Sequence, residues 1–223
     1  MTFGSFKLGV IGPGSDIDTL VVAPSNITAD DFFSTFPEIL QKMAPEGAIT
    51  ELTLKPDAFA PLITLKYQGV DLDVLFGRIA IHNQIKKDLL MTSQDLLRGL
   101  TDQEVRSLNG VRVADELLSL VPEQGVFRTA LRAIKLWSTR RAISGNIYGF
   151  PGGVAWAILV ARVCQLYPKA TASTVVMKFF RILEKWQWPM PVVLKHIDYN
   201  TRIGNLKVWN SKVCLCPHSR KYI

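Results

Sequence analysis

The sequence predicts an α+β fold: a small mixed sheet with helical cover, followed by a mostly helical domain. Two observations carry this. Residues 17–76 hold four short β-branched or alternating runs, separated by turn chemistry and one amphipathic helical stretch. From about Asp88 the strand pattern gives way to apolar residues at helical spacing.

The first run, Ile17-Asp18-Thr19-Leu20-Val21-Val22, is β-branched and apolar enough to be a strand. It follows Phe3-Gly4-Ser5-Phe6 and the turn Gly12-Pro13-Gly14-Ser15. Residues two apart in a strand point to one side, so Asp16 and Asp18 are expected to project together, beside a glycine loop with free backbone amides. Two close like charges are unfavourable unless a cation sits between them. Hard divalent ions take oxygen ligands and share them with substrate phosphates. A phosphate-plus-metal site is therefore expected here. Asp-x-Asp alone is a common tripeptide; the combination with Gly-Ser and the strand is what makes the pattern specific.

Ala23-Pro24-Ser25-Asn26 turns the chain, and Thr28 caps a helix over Ala29–Met43, with Asp30 and Asp31 in its first turn. Phe32, Phe33, Phe36, Ile39 and Leu40 make its apolar face. Strands are predicted over Ile49–Leu54, Leu62–Tyr67 and Val70–Phe76, with Gln68-Gly69 as a tight turn. In the last strand Asp71 and Asp73 share one face while Val70, Leu72 and Val74 share the other. Either acid could be a third carboxylate for a two-metal phosphoryl-transfer site, or simply be solvated.

Beyond Asp88, Thr92 or Ser93 caps a short helix at Leu96-Leu97, and Thr101-Asp102-Gln103-Glu104 starts a turn of helix that Asn109-Gly110 breaks. Helices follow over Val111–Leu120, Val126–Ile143, Val154–Tyr167 and Ala172–Trp186. On Val126–Ile143 an apolar stripe (Ala130, Leu131, Ile134, Trp137) runs beside a basic one (Arg128, Arg132, Lys135), which is either a solvated face or a phosphate-facing wall. The loop Tyr148–Gly153 opens onto a helix start that suits an anion or close packing. Leu206–Trp209 is a candidate strand. Cys214, Cys216 and His218 lack the fourth ligand of a tetrahedral zinc site and read as a tail.

Apolar content of 48% and charged content of 20% suit a globular protein with a core. A net charge of +7 and pI near 9.4 favour a polyanionic partner without choosing among RNA, DNA and acidic membranes. Cys164, Cys214 and Cys216 are too few and too unevenly placed for a disulfide framework, which points to a reducing compartment. No signal-peptide pattern opens the sequence, and its longest apolar run, Val154–Val163, is too short to span a bilayer, so no membrane partner is expected.

The Gly-Ser, Asp-x-Asp, strand pattern resembles the signature of the polymerase-β-like nucleotidyltransferase superfamily. The stretches FGSFKLGVIGPGSDIDTLVVAP, PDAFAPLITLKYQGVDLDVLF, LNGVRVADELL, FRTALRAIKLWSTRRA and NIYGFPGGVAWAILVARVCQLYP are similar to eukaryotic poly(A) polymerases, from Phe3 to about Ile197. The resemblance implies a palm-like nucleotidyltransferase domain over residues 1–85, an incomplete helical central domain over 86–210 and a divergent tail over 211–223. It implies template-independent transfer of AMP from ATP to RNA 3′ ends, with two Mg²⁺ or Mn²⁺ ions. Asp16, Asp18 and, rather than Asp71, Asp73 would be the metal ligands and catalytic carboxylates. Gly4 and Ser5 would touch the triphosphate, Phe59 would stack on adenine, and Lys135 would bind phosphate. Asn146 would contact the nucleotide, Gly153 and Val154 would line the adenine pocket, and Asn109 would lie near nucleic acid and nucleotide. The cleavage and polyadenylation machinery as partner, and the nucleus as location, come from the resemblance alone.

The sequence departs from the family in three places. Ser144 stands where the family has a tyrosine, which should weaken ATP binding. The family carries a segment ahead of FGS, and an RNA-binding domain beyond Val208-Trp209-Asn210, that are not expected here. The alternative to an active enzyme is thus an impaired, truncated relative that binds nucleotide or partner proteins without turnover.

Overall fold

The computed structural model describes residues 1–79, 85, 91, 93 and 95–196. The chain divides into two compact units, Met1–Leu118 and Ser119–Ile223.

The first unit is built on a four-stranded sheet of β1 (Ile17–Ala23), β2 (Ile49–Lys55), β3 (Leu62–Tyr67) and β4 (Val70–Arg78), in the order β1-β4-β3-β2. β1 and β4 run parallel, and the other pairs are antiparallel. The β3–β4 turn has both central residues at positive φ, Gln68 at 48° and Gly69 at 82°, the type I′ geometry that matches strand twist. β2 shifts register between Thr50 and Thr53, where Glu51 takes a φ of 55°.

Strand alternation divides the sheet into two faces. On one, Ala23, Ile63, Leu65, Val74 and Phe76 are buried under α2 (Ala29–Met43), whose Phe32 ring stacks on Phe76 at 5.1 Å. Thr28 and Asp31 form a capping box, with the Asp31 amide donating to Thr28 Oγ1 at 3.2 Å and the Thr28 amide donating to Asp31 Oδ2 at 2.9 Å. Those bonds lower the carboxyl of Asp31. Phe32, Phe33, Phe36 and Leu40 join the core as expected, but Ile39 is 48% exposed. At 100° per residue the buried Phe32 and Pro37 bound an inward stripe centred near Leu40, and Ile39 falls just outside it, beyond Phe32.

On the opposite face α3 (Asp102–Leu120) packs over Leu20 and Gly77. It is one continuous helix, so the break expected at Asn109-Gly110 is overturned. Leu108 and Val111, on either side of that dipeptide, are almost fully buried, and the face of Gly110 is filled by the ring of Phe3. Tertiary packing outweighs the ~1 kcal/mol that glycine costs a helix. The helix starts where Thr101 predicted, through another capping box: the Thr101 amide donates to Glu104 Oε2 at 2.7 Å and the Glu104 amide to Thr101 Oγ1 at 3.3 Å. Arg78 pairs with Glu104 at 2.7 Å and Lys7 with Asp115 at 2.9 Å. These contacts join α3 to the sheet and to the N-terminal residues ahead of it, and the compact units divide after Leu118 although the sequence changes character near residue 88.

The second unit holds α4 (Gln124–Arg140), α5 (Gly153–Leu166) and α6 (Ala172–Glu184), which pack on one another. Phe127, Ala130, Leu131, Ile134, Val160 and Phe179 are at most 2% exposed. Trp137 meets Trp156 at 6.0 Å and Phe180 at 4.8 Å, both edge to face. α4 ends three residues before Ile143. Ala142 adopts a φ of 55°, while the Ile143 amide donates to Ser138 O and the Ala142 amide to Thr139 O, a Schellman stop. Cys164 is buried and unpaired, and burial pushes its thiol up to about 11. Among the described residues no helix is long and apolar enough to cross a membrane. The Leu206–Trp209 strand and the Cys214–His218 cluster lie outside the described residues, as does Thr92.

A Cβ added at Gly77 would overlap Leu108 Cδ2 and stand 3.1 Å from Leu20 Cδ1. Gly77→Ala is expected to destabilise the first unit by about 1–3 kcal/mol in urea unfolding. Leu108→Val in the same chain should recover part of that loss. Strictly additive costs would show that the two positions do not press on each other.

Candidate active site

Three carboxylates meet where β1 and β4 run side by side. Asp18 is the register partner of Asp73, and Asp16 immediately precedes β1 on the same side of the strand. One carboxylate oxygen from each of Asp16, Asp18 and Asp73 lies within 4.8 Å of the other two. The choice left open between Asp71 and Asp73 is thereby decided in geometry: Asp73 joins the trio, while Asp71 sits 3.6 Å from Lys66 Nζ.

Burial, then the charges of Asp16 and Asp73, push the Asp18 carboxyl up to about 6. Asp73 is raised as well, by burial first and Asp16 next, with Lys55 opposing. The protein thus holds negative charge in a place where it is disfavoured. Hard divalent cations would relieve that cost, and two-metal sites use ions about 3.5–4 Å apart that share carboxylate oxygens. The donor set fits such ions.

Gly4 shapes the other side of Asp18. It takes a φ of 59°, and an added Cβ would collide with the carboxylate, standing 2.8 Å from Asp18 Cγ. Gly4 opens the short helix α1 (Gly4–Lys7), and Ser5 is its second residue. The Phe3 amide donates to Asp18 O at 3.0 Å, and the Phe3 ring rests against Gly110, next to Asn109 on α3. Gly4, Ser5 and Asn109 are therefore all close in the chain to the contacts that frame Asp18. The second glycine turn differs from the expectation of free amides. The Gly12 amide donates to Ser15 Oγ at 3.2 Å and the Ser15 amide to Gly12 O at 3.1 Å, so the turn closes on itself.

A polar cleft of about 460 Å³ opens beside the trio, lined by Ser15, Asp16, Thr53, Thr64, Asp71 and Asp73 among others. Lys66 spans its wall, 3.3 Å from Glu51 and 3.6 Å from Asp71, and these two acids push its ammonium up. Thr64 and Lys66 were not singled out in the sequence. Their signal was alternation with the buried Ile63 and Leu65, but only the pairing of Thr64 with Asp73 brings them to the cleft. Phe59 is 75% exposed, with the Arg106 guanidinium 4.4 Å over its ring, a partner also not anticipated.

Lys135, Asn146, Gly153 and Val154 belong to the second unit. Lys135 is half-buried on α4. Asn146 starts a 3-10 turn, and its Oδ1 would stand 2.9 Å from a Cβ added at Gly152, the residue before Gly153 and the start of α5. Val154 is 53% exposed.

Residues 1–121 match the poly(A) polymerase nucleotidyltransferase domain, and residues 126–220 match the poly(A) polymerase central domain. The chain is 52% identical to the poly(A) polymerase PAPalpha of Candida albicans over 98% of its length, and 48% identical to poly(A) polymerases of Schizosaccharomyces pombe and Dictyostelium discoideum over 95%. It spans 26–38% of the length of these relatives. Among solved structures, a poly(U) polymerase with Mg and 3′-dATP bound superposes with a TM-score of 0.58 at 14% identity, covering 84% of this chain and 61% of the other. A cytoplasmic RNA terminal U-transferase gives 0.57 at 13% identity, covering 84% and 57%. The structural likeness establishes a nucleotidyltransferase fold.

The raised Asp18 carboxyl has a thermodynamic consequence. Between its unfolded value of 3.8 and about 6 the folded chain holds more proton, so the contribution of Asp18 to stability falls as pH rises through that window and stays low above it. Metal-free Asp18→Asn should therefore melt about 2–4 °C above the wild type near pH 7.5, and the gain should shrink toward pH 4. Millimolar Mg²⁺ or Mn²⁺ should raise the wild-type Tm near pH 7.5 and leave the variant unmoved. An Asp18→Asn gain that is equal at both pH values would refute the charge account.

Proposed function

Because the chain belongs to the poly(A) polymerase family, we propose that it transfers AMP from ATP to the 3′ end of RNA without a template, by a two-metal mechanism. The observation that carries the proposal is the convergence of Asp16, Asp18 and Asp73, with oxygens within 4.8 Å of one another, on adjacent parallel strands of a nucleotidyltransferase sheet.

Asp16, Asp18 and Asp73 would hold the cations, and Asp73 would also help activate the attacking 3′-hydroxyl. Bound Mg²⁺ or Mn²⁺ would supply Lewis acidity toward that hydroxyl and toward the triphosphate. Asp73, its own carboxyl raised by burial and by Asp16, would orient that hydroxyl and draw on its proton. Gly4 keeps the wall beside Asp18 thin enough for a phosphate to approach, and Ser5 offers its hydroxyl there. Phe59 gives the adenine a ring to stack on. By family membership Lys135 would neutralise the departing pyrophosphate, Asn146 would contact the nucleotide, and Gly153 and Val154 would line the adenine pocket. Asn109 lies where nucleotide and RNA meet. Messenger RNA 3′-end processing, the cleavage and polyadenylation machinery as partner, and the nucleus as location belong to the same proposal and rest on family membership.

Incubation of the purified chain with an oligo(A) primer, ATP and Mn²⁺ tests the reading. Extension is expected, falling by about a thousandfold or more in Asp16→Ala and in Asp73→Asn, since each loses several kcal/mol of metal-borne stabilisation. ATP should be used in preference to UTP and CTP. Equal extension by wild type and Asp16→Ala, or a preference for UTP, would overturn the assignment.

A further inference from the structure

A second concave surface lies on the second unit, along the last turns of α6. Lys178, Arg181 and Lys185 follow one another at spacings of three and four and so share one face of the helix. They line a groove of about 540 Å³ together with Tyr167, Trp186 and Met190, and no carboxylate is among its lining residues. Among the described residues none of the three cations has an ion pair. Arg181 and Lys185 are exposed, and Lys178 rests over the Tyr167 ring at 5.1 Å.

The aromatic side of the groove is held in place. Trp186 Nε1 donates to Met190 O at 2.8 Å, and Trp188 Nε1 donates to Leu183 O at 3.2 Å. The two indoles lie 6.3 Å apart, and Trp188 is 58% exposed. With both N–H groups occupied by backbone carbonyls, the ring orientation is set in advance, so ordering it on contact with a ligand costs little. A line of cations beside pre-oriented aromatic rings is the chemistry of single-stranded nucleic acid binding: phosphates meet the cations and bases stack on the rings. An acidic peptide would use the cations and leave the rings idle.

We propose that this groove binds a single RNA strand, with backbone phosphates against Lys178, Arg181 and Lys185 and a base against Trp186. The inference rests on the reading of the chain as an RNA-acting enzyme and adds to it a surface whose lining residues have no part in the transfer step proposed above. Its test is binding without turnover. A fluorescent oligo(A) of about fifteen nucleotides, in the range such grooves cover, is titrated against the full chain at several salt concentrations.

Arg181→Gln/Lys185→Gln, which leaves the Lys178–Tyr167 stack intact, should bind about tenfold more weakly at moderate salt. Its log–log salt slope should be shallower by about 1.4, from about 0.7 per lost phosphate contact. Adding Lys178→Gln should shift the slope by about 0.7 more. The matched control Lys42→Gln/Arg98→Gln removes as much charge from the first unit and should leave the slope nearly unchanged. Equal slopes for the two double variants would overturn the proposal, as would displacement of oligo(A) by polyglutamate at equal charge concentration. RNA binding with these signatures in a chain that never extends a primer would sink the adenylyl-transfer reading and keep the groove. Extension together with identical slopes would do the reverse.

Discussion

The pairing of Asp18 with Asp73 across β1 and β4 is the constraint on which the site depends. A parallel neighbour lies under 5 Å away, and its side chains at matched register point to the same side. A one-residue slip of either strand would send one carboxylate to the face covered by α2. That face is locked by Phe32 stacked on Phe76 and by Ile63, Leu65 and Val74, so the apolar core fixes the register and the register assembles the acids. The site is held by hydrophobic packing on the far side of the sheet, against the mutual repulsion that raises Asp18 and Asp73.

Two glycines let other elements come close to that arrangement. Gly77 lets Leu108 press into β4, and Gly110 makes room on α3 for the Phe3 ring. Phe3 in turn hydrogen-bonds to the backbone of Asp18 and leads directly into Gly4. The helix α3, the N-terminal turn and β1 therefore form one packed series. The ion pairs Lys7–Asp115 and Arg78–Glu104 lie along it and add less than the packing does, since partly exposed pairs contribute about 0–1 kcal/mol. In Glu104, burial alone would raise the carboxyl, but hydrogen bonds from Thr101 and Arg78 hold it below its usual value.

The second unit follows a different logic. Its core is an aromatic and aliphatic seam among three helices, in which Trp137, Trp156, Phe179 and Phe180 meet mostly edge to face. That seam uses one stripe of each helix and leaves the basic residues of α4 and α6 on the other sides. Arg128, Arg132, Lys135 and Arg140 on α4, and Lys178 and Arg181 on α6, thus stand on helices whose apolar faces are already occupied. Long-range attraction of a polyanion needs no particular side chain; the specific contacts come from those residues that neighbouring aromatic groups hold in place.

What could be read from the sequence is what depends on near neighbours in the chain. Asp16 and Asp18 on one side of a strand, the Thr28 cap, the Gln68-Gly69 turn and the stripe Ala130, Leu131, Ile134 all follow from local periodicity and turn chemistry. Register, and with it the partner of each side chain, involves residues dozens of positions apart, and no local pattern encodes it. That is why residue spacing left Asp71 and Asp73 as equals until strand pairing gave one to Lys66 and the other to Asp18. For the same reason Asn109-Gly110 read as a helix break: the ring that fills the space at Gly110 comes from Phe3, at the far end of the first unit's chain. The amino-acid sequence determined which groups could carry the chemistry, because their type and local spacing are written in it. The tertiary structure decided which of them meet, because that is settled by packing between distant segments.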